Sequence, residues 1–143
     1  MSEQEYHIST DKAKLDVQLI YNFLSQESYW AKGMPLDTFK RSVENSMCFG
    51  IYYGSEQAGF ARIISDKATY AYLGDVFIVP SHRGKGLSKM LMEYIVNHPE
   101  LQGLRRWVLG TADAHRLYAQ YGFTELASPG RWMEKHNPDV YKH

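Results

Sequence analysis

Asp75-Val-Phe-Ile-Val-Pro-Ser-His-Arg-Gly-Lys-Gly-Leu-Ser-Lys-Met-Leu-Met, residues 75–92, is the stretch that decides how the rest of the chain is read. It reads as a buried strand, a short basic glycine-rich turn and an amphipathic helix. That order aims a row of backbone N–H groups, with Arg83 and Lys85, at whatever lies beyond the strand end. The first N–H groups of a helix lack intrahelical partners and its dipole favours negative charge, so the turn is suited to a phosphate-bearing ligand.

Working outward, the pattern switches period at Gly86. Leu87, Met90, Leu91, Tyr94 and Ile95 share one helix face, and Pro99 lies beyond its end. Before the stretch, Thr69 to Val79 is β-branched and aromatic. Cys48–Tyr53 and Ala58–Ile64 flank Gly54-Ser-Glu-Gln as a hairpin, and Tyr6-His-Ile-Ser is a short strand. Leu15, Leu19, Phe23 and Leu24 recur at helical spacing up to Ser28. Gly33 and Pro35 then break the chain, and Phe39, Val43 and Met47 mark a second helix. After the stretch come a strand from Arg106 to Gly110, a short helix from Ala112 to Tyr121 stopped by Gly122, and weaker strands at Phe123–Ala127 and Arg131–Lys135. The order predicts a mixed α/β sheet with helices packed on it.

At 143 residues the chain has the length of one domain with one sizeable core, and a single domain over 1–143 is the expectation. Lys plus Arg and Asp plus Glu are equal at 16 each, so no overall field favours nucleic acid or an acidic membrane surface. Basic charge is local, at His82, Arg83, Lys85 and Lys89 and again at Arg105-Arg106. The single cysteine, Cys48, leaves no internal disulfide and no multi-cysteine zinc site. Without a leader-like or bilayer-length apolar run, a cytoplasmic protein is expected. The oligomeric state stays open, a homodimer included.

Two familiar glycine motifs fail on the turn. A P-loop needs Gly at 79 and Ser or Thr at 86, where the chain has Val79 and Gly86. The dinucleotide fingerprint needs a third small residue where Lys89 stands. What remains is Arg83-x-x-Gly86-x-Ser88, in which the missing Cβ lets a phosphate approach the backbone and Leu87 anchors the helix to the sheet.

This turn, followed by Leu117-Tyr118-Ala-Gln-Tyr-Gly122-Phe123, resembles the GNAT superfamily of N-acetyltransferases. The first segment is similar to their acyl-CoA pyrophosphate loop, Arg/Gln-x-x-Gly-x-Gly/Ala, with Ser88 at the last position. The second is similar to their Leu-Tyr-x-x-x-Gly-Phe ending. Ser28-Tyr-Trp-Ala-Lys-Gly and Thr111-Ala-Asp-Ala-His are similar to segments of a subgroup of small bacterial members, and Thr111 stands where many members carry Asn.

The resemblance implies a mixed, mostly antiparallel central sheet flanked by helices on both faces, with acetyl-CoA as cosubstrate and no metal. It implies acetyl transfer to a primary amine of a small molecule. A protein or peptide amine, or a catalytically silent CoA-binding sensor module, are the alternatives. It places cofactor contacts at Phe77, Ile78, Arg83, Gly84, Lys85, Gly86, Leu87, Ser88, His115 and Tyr118. It makes the N–H of Ile78 an oxyanion donor, worth about 3 kcal/mol to the barrier when preorganised. Tyr118 would protonate the leaving thiolate, a phenol with pKa about 10 facing a thiol near 8.5. Asp75 would hold a substrate cation, relay a proton or bond to nearby backbone, with its role left open among these. Tyr29 and Trp30 would either build the acceptor wall or pack beneath a loop.

Overall fold

In the computed structural model, which describes residues 5–142, the apolar stretches pair into a five-stranded sheet ordered β1-β2-β3-β4-β5. Residues 1–4 and 143, which the single-domain expectation includes, lie outside the described residues. Strands β1 (Tyr6–Ser9), β2 (Met47–Tyr53), β3 (Glu56–Ser65) and β4 (Tyr70–Ile78) are antiparallel to one another, and β5 (Arg106–Leu109) joins β4 in parallel.

Helix α1 (Val17–Asn22) starts where the Asp16 carboxylate accepts the Leu19 N–H at 3.1 Å. It widens into a π turn over Phe23–Glu27, closed by the Ser28 N–H donating to the Phe23 carbonyl at 3.0 Å. Helix α2 (Leu36–Glu44) follows Pro35, and α3 (Leu87–Val96) and α4 (His115–Ala119) flank β5 in sequence.

Period-two alternation distributes the strands' side chains between two cores. On one face Cys48, Phe60 and Phe77 meet Ile20 and Leu24 of the first helical segment and Phe39 of α2. On the other, Phe49, Ile51, Ile63 and Leu73 meet Leu87, Leu91, Met92 and Ile95 of α3. Full burial of a side chain such as Phe39, Phe49 or Phe60 stabilises by roughly 1.5–3 kcal/mol. The sheet is therefore mixed and mostly antiparallel, with helices on both faces.

The C-terminal strands expected at Phe123–Ala127 and Arg131–Lys135 are absent from the described residues. Backbone donors there are satisfied locally: Arg131 N–H bonds the Ser128 carbonyl at 2.9 Å and Trp132 N–H the Pro129 carbonyl at 3.1 Å. Phe123 contributes its ring rather than its backbone, meeting Trp107 edge-on at 6.3 Å.

The Tyr52 hydroxyl is buried against Gly50 without a hydrogen-bond partner among the described residues, and burial pushes this phenol up to about 12. A folded-state value above the unfolded value near 10 means that its contribution is intact below pH 10 and is lost as pH rises towards 12. Tyr52→Phe removes an unsatisfied polar group and should stabilise the fold by about 1 kcal/mol at neutral pH, with a smaller loss between pH 10 and 12. Denaturant melts at several pH values measure both; an unchanged midpoint at every pH would show that the hydroxyl is not the source of the alkaline loss.

Candidate active site

Strand β4 is longer than its pairing with β5. Only Tyr70 to Leu73 lie opposite Arg106 to Leu109, so from Gly74 to Ile78 the edge that faces β5 is open. On its other edge β4 stays bonded to β3, where Gly59 faces Ile78. A Cβ at Gly59 would stand 2.8 Å from the Phe77 carbonyl oxygen, so this close approach requires glycine.

The separation starts at a bulge. The β3–β4 register shifts between Phe60 and Arg62, and Asp75 takes the left-handed region at φ 55°. One extra residue inverts the side-chain phase, so Leu73 and Val76 face the α3 core while Phe77 faces the α1 core. Two contacts hold the bulge. Trp30 donates its indole N–H to Asp75 Oδ1, and Arg62 donates its Nε–H to Oδ2, both at 2.7 Å. The Arg62 and Asp75 side chains are only 17% and 9% exposed, so the pair is largely withdrawn from water. Asp75 is thereby a bracket between the sheet and the wall that follows α1.

The phase inversion also settles which amides are open. The Val79 N–H donates to the Ala58 carbonyl at 2.8 Å, so alternate residues of the strand point at β3 and the others at the opening. Phe77 turns its backbone to β3, and Val76 and Ile78 turn theirs to the opening. The Phe77 backbone, where a cofactor contact is expected from the sequence, thus faces β3, while Val76, which nothing in residue type marks, faces the opening. The Phe77 ring stacks instead on Phe23 at 4.0 Å and 12°.

Beyond Ile78 the chain makes a short turn at Pro80–His82 and enters the glycine loop. His82 is not part of a basic surface: it is buried between the Tyr6 hydroxyl at Nδ1, 2.8 Å, and Glu56 at Nε2, 2.6 Å, which fastens the loop to β1 and β3. Arg83 donates its Nε–H to the Ile78 carbonyl at 3.1 Å, holding the end of the opening. Gly84 and Gly86 both adopt positive φ, 79° and 76°, and nothing lies within 4 Å of where a Cβ would sit on either. Among the described residues, no backbone carbonyl or side-chain cap takes the N–H groups of Gly84, Lys85, Gly86, Leu87 and Ser88. Of these residues Gly84, Gly86, Leu87 and Ser88 line a hollow of about 410 Å³, with Arg83 and Leu117 also on its walls. An anionic group bearing several oxygens fits there chemically.

A second cleft of about 500 Å³ occupies the opening itself, lined by Tyr29, Trp30, Tyr72, Asp75, Asp113 and Tyr118 among others. The chain reaches it from α1 because Ser28 closes the π turn, its hydroxyl donating to the Leu24 carbonyl at 2.6 Å and accepting the Ala31 N–H at 3.1 Å. Tyr29 accepts the Ala112 N–H at 3.1 Å, tying the wall after α1 to the loop after β5. The Thr111 hydroxyl caps the turn into α4 by accepting from Ala114 at 3.1 Å. Tyr118 is buried, and its phenol is raised above the usual tyrosine value by burial first, then by Tyr29 and Asp113. Its hydroxyl has no hydrogen-bond partner among the described residues. His115, by contrast, is exposed and lines a separate hollow behind Tyr118 with Phe123.

With an open strand edge, a loop of unpartnered amides and a buried phenol in place, comparison with known proteins becomes informative. The sequence model of the Acetyltransferase (GNAT) family matches residues 17–123. The chain belongs to the GNAT acetyltransferase family. A candidate GNAT acetyltransferase from Xanthomonas campestris pv. campestris has a crystal structure that superposes with a TM-score of 0.94. It is 51% identical, over 96% of this chain and 97% of that one. A candidate acetyltransferase of Gibberella zeae is 33% identical over 138 residues, 81% of this chain and 77% of its own. A candidate acetyltransferase from Clostridium acetobutylicum, whose crystal structure contains acetyl-CoA, shares the fold at 16% identity and a TM-score of 0.57, over 92% and 94% of the two chains.

In this GNAT chain the bracket at Asp75 carries a direct test. Asp75→Ala leaves Arg62 without its partner in a poorly hydrated position, and should cost about 3 kcal/mol. Asp75→Asn keeps an acceptor for Trp30 and tolerates the left-handed backbone, so it should cost roughly half as much. Chemical denaturation reads the difference; an Ala variant as stable as the parent would show that the carboxylate holds nothing together.

Proposed function

We propose that the chain transfers the acetyl group of acetyl-CoA to a primary amine of a small molecule in the cytoplasm. The observation that carries this reading is the continuity of two sites along β4. The unpartnered amides of residues 84–88 lie at one end, and the open N–H groups of Val76 and Ile78 lead from them to Tyr118. The diphosphate of coenzyme A suits the first and a thioester carbonyl the second. A small acceptor is favoured over a peptide because the Tyr29–Ala112 bond ties the two walls of the cleft together.

The thioester supplies an activated acyl carbon, and the residues supply the rest. Of the open N–H groups of Val76 and Ile78, which lie about 7 Å apart along the strand, one aims at the carbonyl oxygen as negative charge gathers there and the other at the arm of the cosubstrate. The amine nitrogen forms its bond to the acyl carbon, the carbon–sulfur bond breaks, and Tyr118 gives its proton to the departing sulfur. The amine's surplus proton leaves to water. Burial keeps Tyr118 protonated through the neutral range, the state this role needs. Arg83, Lys85 and Ser88 border the diphosphate, and Gly84 and Gly86 give it room. Leu87 has another task, sealing α3 to the sheet at 4% exposure.

Isothermal calorimetry with acetyl-CoA should show binding, and thiol release in the presence of amines should show turnover; absence of CoA binding would overturn the reading. Gly86→Glu places a carboxylate in space that nothing occupies. Its fold should survive at the cost of a strained positive φ, about 1–2 kcal/mol, while CoA affinity falls at least 100-fold.

Tyr118→Phe should lower kcat by about 100-fold with CoA affinity changed less than threefold. Because the phenol acts in its protonated form and burial raises its pKa, the parent's rate should fall only above the pH at which an ordinary tyrosine ionises, and that alkaline limb should vanish in the variant. A variant with the parent's rate and pH profile would remove Tyr118 from the chemistry.

A further inference from the structure

The cleft along β4 has a character that acetyl transfer by itself does not demand. Three rings that line it remain open to water: Tyr29 is 66% exposed, Trp30 42% and Tyr72 37%. Two of them are nevertheless held in place. Tyr29 is tied to the Ala112 N–H at 3.1 Å and Trp30 to Asp75 at 2.7 Å, and the two rings meet edge to face at 5.0 Å and 84°. Fixed rings left exposed together present their electron-rich faces as a binding surface.

The charge around them has one sign. No Lys or Arg lines the cleft, and nearby Arg62 is paired with Asp75 at 2.7 Å. Both Asp75 oxygens are taken, one by Trp30 and one by Arg62. Asp113 is different: its backbone N–H bonds Thr111, while its carboxylate has no hydrogen bond or ion pair among the described residues. Its charge is felt inside the cleft, where it is one of the causes raising the Tyr118 phenol after burial and Tyr29. A phosphate or carboxylate on the acceptor would meet the unpaired Asp113 carboxylate and no unpaired cation.

A ring-and-carboxylate site retains cations, yet the nitrogen that attacks a thioester must be neutral. A site that gripped the reacting nitrogen would hold it as ammonium and slow the transfer. The retained charge therefore belongs to a second group. We infer that the acceptor carries a positive charge besides the amine that is acetylated, and no anionic group, with the extra cation seated among Tyr29, Trp30, Tyr72 and Asp113. Aliphatic diamines and aminoalkyl guanidines are the simplest members of that class. This rests on the acetyl-transfer reading and specifies its acceptor.

The test compares 1,4-diaminobutane, 1-aminobutane and 2-aminoethyl phosphate as acceptors by thiol release with saturating acetyl-CoA. The expected kcat/KM for the diamine exceeds that for the monoamine by about tenfold, with the phosphate-bearing amine below both. In Asp113→Asn and in Tyr72→Leu the diamine-to-monoamine ratio should fall towards one. A monoamine or phosphate-bearing amine used as well as the diamine, or a ratio unmoved by both substitutions, overturns the inference. Calorimetry with each amine and protein free of CoA gives a readout independent of turnover. The same ranking, weakened in Asp113→Asn, upholds the cation seat even if no acetyl transfer occurs, whereas no preference for the diamine overturns it. Failure to bind acetyl-CoA would fall on the transfer reading instead.

Discussion

Parallel strands normally satisfy each other along their shared length, and β4 and β5 do so for four residue pairs only. Beyond Leu73 a strand edge is left with backbone groups facing space, a situation that invites either collapse or pairing with another chain. Collapse is prevented from both faces. The Phe23–Phe77 stack and the α1–α2 core hold β4 from one side, and Ile78 and Leu87 belong to the α3 core on the other. The Arg62–Asp75–Trp30 bracket fixes the point where the strands part. The amides on which acyl transfer would depend are open because packing elsewhere keeps them so.

The bracket has a chemical consequence. Asp75 combines a left-handed backbone, unusual for a residue other than glycine, with a carboxylate whose two oxygens are each bonded at 2.7 Å. Of the roles open to it in the sequence, proton relay is the least compatible with this geometry. Taking up a proton would weaken the bond from Arg62 and leave a guanidinium partly unpaired in a largely buried position. In the structure it bonds Trp30 and Arg62 where the strand bends.

Legibility in the sequence followed the range of the interaction. The glycine turn, α3 and the Leu117–Phe123 ending are local patterns, and they mark the family and the loop from residue identity alone. Both cores follow from period-two and helical spacing, which is why the fold and its mostly antiparallel sheet were readable. What depends on pairing was not. The inward turn of Phe77 and outward turn of Val76 are set by a one-residue register shift against β3. The burial of His82 depends on Tyr6 and Glu56, 76 and 26 residues away. The strands expected after Phe123 had adequate composition, but the turn around Pro129 takes up the donors at Arg131 and Trp132 locally. Strand propensity reports a residue's fit to a sheet, and says nothing of whether an edge is offered to it.

These constraints converge on how a proton is handled. In the proposed reaction Tyr118 is the donor to sulfur, and the burial that keeps it protonated through the neutral range also keeps it from acting there as a base towards the amine. Asp75 is engaged and His115 lines a different hollow, so among the described residues only the Asp113 carboxylate remains on the acceptor side of the cleft, and carboxylates in general are weak bases towards an ammonium. The amine must therefore reach the carbonyl already neutral, selected from solution. A cleft lined by carboxylates works against that selection for a lone amine, because it favours the charged form. It ceases to do so when a second cation takes the carboxylate's field, leaving the first nitrogen with a lowered pKa through like-charge repulsion within the same molecule. One cation seat can thus hold the acceptor and help to neutralise its reacting end.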